Sequence, residues 1–280
     1  MKLLVIGKGY LGTAFEDAGH TVVRFRDIDP TTQGFDDLDC IGIHWAIDKS
    51  MPTAVVNCAA LTNTSECEQN EHWETAFYLN SEFPGVLANL CKDRKITLVH
   101  VSTGCIYNEG AVDAKEGDNQ VVAAHCRYSL TKWMGERYVS QFGDLNNVII
   151  LRPRVLFDER NLPRNMMVKQ KNFTLFSEAQ ETLTYVPDVV GATEALLNAE
   201  ARGVFNVGCL GTMSRMDVAR ASGNFTPKAG DPDEIRRIAG FHLVRNTMSG
   251  EKLAPYYKTH EIHDVITDCA AKLFGYYDGY

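Results

Sequence analysis

Tyr128 and Lys132 stand four residues apart in the segment YSLTK. A helix puts residues at that spacing on one face. An ammonium held beside a phenol favours the phenolate and lowers a pKa that is ~10 when unperturbed. The pair therefore predicts a proton donor or acceptor at Tyr128 that works near neutral pH. Thr103, just after an apolar run over residues 96–101, adds a hydroxyl able to bond the same substrate oxygen. Tyrosine and lysine are common on helices, so this spacing alone also fits an amphipathic helix with a solvated lysine. The elements around the pair decide between the two.

The first of those elements opens the chain. Residues 2–6 are an apolar run, followed by Gly7-Lys8-Gly9-Tyr10-Leu11-Gly12 and a helical pattern to residue 18. That is the strand–turn–helix setting in which G-x-G-x-x-G carries meaning. Gly7 permits the tight turn, Gly9 lets the backbone approach a pyrophosphate, and Gly12 lets the helix pack on the strand. The helix N-terminus then faces the phosphates. Residues 21–25 read as a second strand that runs into Arg26 and Asp27. An acidic residue there favours NAD, and an arginine favours the 2′-phosphate of NADP. Both are present.

Residues 31–40 read as a loop and the next stretch, to about residue 50, as a short helix. Residues 53–58 form a buried strand that leads into Asn57-Cys58-Ala59-Ala60. A long helix over 66–93 is interrupted near Pro84. Residues 108–122 are polar and glycine-containing, and predict a loop over a pocket. The Tyr128 helix runs to about residue 142. A strand over 147–152 follows, from which Arg154 points toward the cofactor. This alternation predicts an α/β fold with a doubly wound parallel sheet and a site at the strands' C-terminal edge. Beyond residue 156 the regularity falls. A helix over 187–200, a short strand over 203–208 and a last helix over 261–274 remain legible. No internal repeat is visible.

A chain of 280 residues can bury a sizeable core. Its formal net charge of -8, without a basic block, disfavours nucleic acid and anionic membranes as partners. No apolar run reaches the ~18 residues of a membrane span. The apolar N-terminus stops at Gly7 and reads as a first strand rather than a signal peptide. Eight scattered cysteines, several in apolar strands, suit reduced thiols in a cytoplasmic protein. His260 and His263 lack a supporting ligand pattern, so no metal is expected.

The glycine turn, the strand ending in Ser102-Thr103 and the YSLTK helix together resemble the extended short-chain dehydrogenase/reductase superfamily. The resemblance implies a Rossmann-type NAD(P)-binding domain over 1–156, with a returning segment at about 185–208. A smaller α+β substrate part is then built from 157–184 and 209–280, and the assembly is a homodimer. The glycine turn is one residue shorter than the superfamily's frequent G-x-x-G-x-x-G. Cofactor contacts are implied for Gly7, Gly9, Tyr10, Leu11 and Gly12, for Cys58, Ala59 and Ala60, and for Asn80, Tyr128, Lys132 and Arg154. The segment RFRD resembles that of GDP-fucose synthases, which use NADPH. It implies NADPH with Arg26 on the phosphate and Asp27 nearby, NADH remaining possible.

A second set of residues adds chemistry. Thr103-Gly104-Cys105-Ile-Tyr resembles the corresponding segment of GDP-fucose synthases and, more closely, that of nucleotide-rhamnose synthases. The spacing of Pro163-Arg164-Asn165-Met-Met-Val-Lys169 also resembles the rhamnose family. There a cysteine and a lysine are the acid and base of epimerisation beside a 4-keto group. A thiol of pKa ~8.5 and a pocket lysine with a lowered pKa can share that work. Hydrogen bonds from Tyr128 and Thr103 at O4 would stabilise the enolate. The expectation is thus a bifunctional NADPH-dependent 3,5-epimerase/4-reductase of a UDP- or dTDP-linked 4-keto-6-deoxyhexose. Catalysis falls to Thr103, Tyr128, Lys132, Cys105 and Lys169, and substrate contacts to Thr103, Gly104, Cys105, Arg164 and Asn165. The alternatives are a 4-reductase alone, resembling dTDP-4-dehydrorhamnose reductases, and a silent NAD(P)-binding regulatory protein.

Overall fold

The computed structural model describes residues 1–24, 39–118, 126–170, 173–223, 227–239 and 245–275. Among them, six parallel strands form the central sheet: β1 Leu3–Ile6, β2 Thr21–Val23, β3 Ala54–Asn57, β4 Thr97–Val101, β5 Val148–Pro153 and β6 Gly203–Val207. Their spatial order is β6-β5-β4-β3-β1-β2.

The sequence dictates this arrangement through burial on both faces. β1, β3 and β5 are buried at every position, as expected of strands covered by helices on each side. Alternate residues serve opposite layers. Leu3, Val5, Val56, Ile149 and Leu151 pack with Phe15 of the Tyr10–Asp17 helix and with Val189 and Leu196 of the Val186–Asn198 helix. Leu4, Ile6, Val55, Leu98 and Ile150 pack with Ile43 and Ile47 of the Asp39–Ser50 helix and with Phe83 and Leu87 of the Phe83–Arg94 helix. Val139 of the Arg127–Phe142 helix joins that layer. Each such side chain stabilises the fold by about 1.5–3 kcal/mol relative to exposure.

The strand order reverses between β1 and β3, which opens a crevice at the strands' C-terminal ends. A further core lies apart from the sheet. It joins Phe157, Met166, Met167 and Leu183 to Met213, Val218, Ile262 and Ile266. Asp188, fully buried at the start of the Val186–Asn198 helix, accepts from Tyr257 Oη at 3.0 Å and pairs with His260 Nδ1 at 2.6 Å. The C-terminal segment is thereby tied to the sheet's helices. No described helix is long and apolar enough to cross a membrane.

The expected long helix over 66–93 is broken into pieces. Short helices at Thr64–Cys67 and Trp73–Phe77 precede a π-helical turn at Tyr78–Glu82, and only Phe83–Arg94 is a regular helix. The wide turn points Asn80 and Ser81 inward, where both are fully buried. Asn80 Nδ2 donates to Leu61 O and Thr131 Oγ1, and Ser81 Oγ donates to Thr131 O at 2.8 Å. These tertiary bonds hold the π turn open, and helical periodicity gives no sign of them.

Candidate active site

The Arg127–Phe142 helix starts at Cys126, whose Sγ accepts from the Ser129 amide, and ends at Gly143. Its buried face carries Ser129, Lys132, Gly135, Glu136 and Val139. Tyr128, at its first turn, looks into a cleft of about 480 Å³ at the crevice. Gly9, Tyr10, Leu11, Cys58 and Ala60 form one wall, and Thr103, Cys105, Tyr128 and Lys132 line the cleft as well. Arg154, Arg164, Lys169 and Arg215 complete a lining with five basic residues and no Asp or Glu among the described residues. A second cavity of about 570 Å³ adjoins it, sharing Thr62, Thr64, Lys169, Phe173 and Arg215. In a chain of net charge -8, this basic wall suits phosphate-bearing ligands.

Thr103 closes β4 in extended backbone, and its Oγ1 accepts from the Cys105 amide at 3.2 Å. Thr103 and Tyr128 line the same cleft. Cys105 sits in the Gly104–Ile106 turn and reaches the cleft. Lys169 ends the short Met166–Lys169 helix. Its pKa is lowered by burial, and further by Arg164 and Arg215. The structure thus brings Thr103, Cys105, Tyr128, Lys132, Arg164 and Lys169 to one cleft.

The electrostatics of Tyr128 differ from the expectation. Burial raises its pKa, and the neighbouring Thr103 only opposes that effect. Lys132 does not turn its ammonium to the phenol; Nζ donates to Val101 O at 2.7 Å. Burial pushes Lys132 down to about 8, against the pull of Glu136 and then Cys58. Tyr128 is therefore a protonated phenol near pH 7, able to donate.

Other expected contacts are corrected by packing. Asn165 is fully buried and caps the Met166–Lys169 helix, accepting from Met167 N at 3.0 Å and donating to Asp158 O and Arg160 O. It positions Lys169 and offers nothing to a substrate. Asn80 spends its amide on Leu61 and Thr131, shaping the wall from behind. Gly104 lies under Met248, and Asn246 Nδ2 donates to its carbonyl. Arg154 borders the cleft, but its guanidinium pairs with Glu181 and also donates to Thr182 O. Gly7, with φ +107, abuts Ala59, and a Cβ on Gly12 would lie 1.9 Å from Gly7 O. Those three residues shape the turn, whereas Gly9, Tyr10 and Leu11 face the cleft. Residues 108–118 dock on residues 245–249, with Gly110 N donating to Arg245 O and Ala114 N to Thr247 O, and do not line the cleft. Arg26 and Asp27 lie outside the described residues.

Sequence reasoning missed a clasp on the glycine turn. Tyr10 Oη donates to the buried Asp158 at 2.8 Å, and Arg160 lies over the Tyr10 ring, bonding Tyr10 O and Thr13 Oγ1. The charged, proline-containing composition of this stretch was its only signal.

Residues 1–241 match the family described as RmlD substrate binding domain, and the chain belongs to that family. It is 26% identical over 234 residues to a dTDP-4-keto-6-deoxy-D-glucose reductase of Streptomyces niveus, covering 81% of this chain and 77% of that protein. It is also 26% identical over 219 residues to an Arabidopsis thaliana trifunctional UDP-glucose 4,6-dehydratase/UDP-4-keto-6-deoxy-D-glucose 3,5-epimerase/UDP-4-keto-L-rhamnose-reductase, covering 72% of this chain and 32% of that protein. The fold is similar to that of a UDP-rhamnose synthase from Acanthamoeba polyphaga mimivirus, with TM-score 0.81, 21% identity and coverage of 97% and 99% of the two chains. It is similar too to a Bacillus anthracis dTDP-4-dehydrorhamnose reductase in complex with NADP, with TM-score 0.75, 17% identity and coverage of 98% and 99%.

Proposed function

We propose that this chain is an NADPH-dependent reductase of the 4-keto group of a nucleotide-linked 4-keto-6-deoxyhexose. The observation that carries the reading is Tyr128 beside Thr103 in a cleft walled by basic residues and free of carboxylates among the described residues. The relatives in nucleotide-sugar reduction support it. This is narrower than the bifunctional expectation, since those relatives speak for reduction more directly than for epimerisation. In this reading residues 1–156, with about 185–208, hold the cofactor, and the remainder takes the sugar nucleotide.

The residues present fit the cofactor. Beyond its own chain neighbours, Gly9 has no protein atom within 4 Å of where a Cβ would stand, which leaves its turn open to the cleft. Gly9, Tyr10, Leu11, Cys58 and Ala60 would hold the dinucleotide, with Lys132 toward its ribose. When bound, NADPH supplies the hydride for C4. Tyr128 gives its proton to O4 as negative charge develops there, and Thr103 holds the same oxygen. Solvent entering the cleft returns the proton to Tyr128.

Two glycine substitutions separate binding from folding. Gly9→Val is expected to cost only about 1 kcal/mol of stability, the effect of a β-branched residue at the N-cap of the Tyr10–Asp17 helix. It should abolish NADPH binding, because the branched side chain fills the approach to the turn. Gly12→Ala is expected to destabilise the fold by about 1–3 kcal/mol or more, since its methyl meets Gly7 O. Thermal denaturation and fluorescence titration with NADPH read both. Wild-type affinity in Gly9→Val would remove the turn from the cofactor site.

A second reading, 3,5-epimerisation before reduction, has one observation in its favour. Cys105 and Lys169 both line the cleft with Tyr128, and the pKa of Lys169 is lowered. It predicts solvent-deuterium incorporation at C3 or C5 of the 4-keto sugar in D2O without NADPH, and its loss in Cys105→Ser and Lys169→Met. Each variant should still reduce an epimerised ketone within about an order of magnitude of wild type. Absence of exchange in wild type leaves the reductase alone.

The deciding experiment for the main reading follows NADPH oxidation with UDP- and dTDP-4-keto-6-deoxyglucose and their epimerised forms, with NMR of the products. Turnover to a 4-hydroxy sugar is expected. No turnover with any of them would overturn the reading and favour a silent dinucleotide-binding protein.

A further inference from the structure

Two consecutive residues at the end of β4 hold two residues of the Tyr128 helix that are four apart, and the next residue, Thr103, shares the cleft with Tyr128. Val101 O accepts from Lys132 Nζ at 2.7 Å, and Ser102 Oγ donates to Glu136 Oε1 at 2.5 Å. Residues four apart share one helix face, so 128, 132 and 136 form a single stripe against the strand end. Glu136 is a fully buried carboxylate. Arg152 of β5 donates to it twice, Nε to Oε1 at 2.9 Å and Nη2 to Oε2 at 2.7 Å. Arg152 is itself held by Tyr107 Oη at 2.7 Å and Glu116 O at 3.0 Å. Glu136 therefore locks the helix to the ends of two strands at the point where Thr103 must meet Tyr128.

The same carboxylate is the anion that acts on Lys132. From the loop after β3, Cys58 faces the ammonium as a thiol, pushed up to about 12 by burial. From β4, His100 is fully buried and held neutral, its pKa pushed well below the ordinary value by burial and then by Lys132. On the helix itself Tyr128 is a protonated phenol. The packed π turn presents Asn80 and Ser81, both neutral. At the helix start, Glu68 is engaged by the Arg127 amide at 2.6 Å.

We propose that Glu136 is a positioning residue for the reduction: it sets the register of the Tyr128 helix on the strand ends and supplies the negative charge that keeps Lys132 an ammonium. The inference rests on the reading of Tyr128 and Lys132 as the reducing site. Removing the charge while keeping the shape lets burial act on Lys132 unopposed, so the lysine loses its proton at lower pH.

The test is competitive acetylation of Lys132 across pH, read by mass spectrometry on the full chain, which needs neither cofactor nor substrate. Wild type should show a midpoint near 8. Glu136→Asp, which keeps the charge, should stay close to that value. Glu136→Gln should move the midpoint down by about one pH unit. Because Glu136→Gln leaves Arg152 buried without its partner, the double variant Glu136→Gln/Arg152→Met removes both charges, and a smaller shift in the same direction is expected. Folded charge-free variants with an unmoved midpoint would overturn the proposal. So would Glu136→Asp folding while neither charge-free variant does, since the role would then be structural only. The alkaline limb of kcat for reduction should shift in parallel. Absence of turnover in wild type would instead sink the reductase reading, and leave the labelling result to judge Glu136.

Discussion

Tyr128→Phe is expected to slow reduction by about 10²–10⁴-fold, the usual contribution of a positioned general acid. The ring stays and only the hydroxyl is lost, so the packing of the helix start is retained. NADPH affinity should change by less than about threefold, because the phenol acts on O4 rather than on the dinucleotide. Single-turnover kinetics with an epimerised 4-keto sugar nucleotide, beside a fluorescence titration with NADPH, measures both. The pH dependence carries a sign as well. Burial holds the phenol protonated above its ordinary range, so the proton donor persists through neutral and mildly alkaline pH. Loss of rate on the alkaline side should follow Lys132, whose value is about 8. A Tyr128→Phe enzyme with wild-type turnover would assign the acid elsewhere.

Lys132→Met is expected to trade activity for stability. A lysine lowered from 10.5 to about 8 binds fewer protons in the folded chain than in the unfolded chain between those values. Stability therefore rises with pH across that window, and the cost of the buried ammonium is fully present below about pH 8. Met keeps much of the stem and removes the charge. At pH 7 the variant should melt a few degrees higher than wild type, at about 2–4 °C per kcal/mol for a chain of this order. The gap should narrow toward pH 10. Turnover should fall by at least about tenfold, since the ammonium that would hold the cofactor's ribose in the cleft is gone. Thermal denaturation at pH 7 and pH 10 checks the first part. A lower melting point at pH 7 would mean that the bond to Val101 O outweighs the burial of the charge.

The sheet was legible because its strands are buried on both faces. Runs such as LLVI and the VIIL that opens β5 read as apolar throughout and need no partner to be recognised. The glycine turn and the Tyr128 helix were legible because local spacing sets them. What stayed hidden depends on contacts between distant residues. Tyr10 meets Asp158 across 148 positions, and nothing in either segment names the other. The break in the helix over 66–93 follows from Asn80 reaching Leu61 and Thr131. Spacing placed Asn165 next to Lys169 but gave no direction to its side chain, which turns inward to cap the helix. The wrong sign for Tyr128 has the same origin. Helical spacing places Lys132 on the same face, but the carbonyl of Val101 takes the ammonium.

Reduction of a ketone at C4 is tested most directly by transfer of deuterium. Wild-type protein is given NADPH deuterated at the transferable position of the nicotinamide, with an epimerised dTDP- or UDP-linked 4-keto-6-deoxyhexose. One deuterium on C4 of the product sugar, one oxidised cofactor per product, and loss of both in Tyr128→Phe are expected. Unchanged ketone with no oxidised cofactor, or product without deuterium at C4, would contradict that reduction.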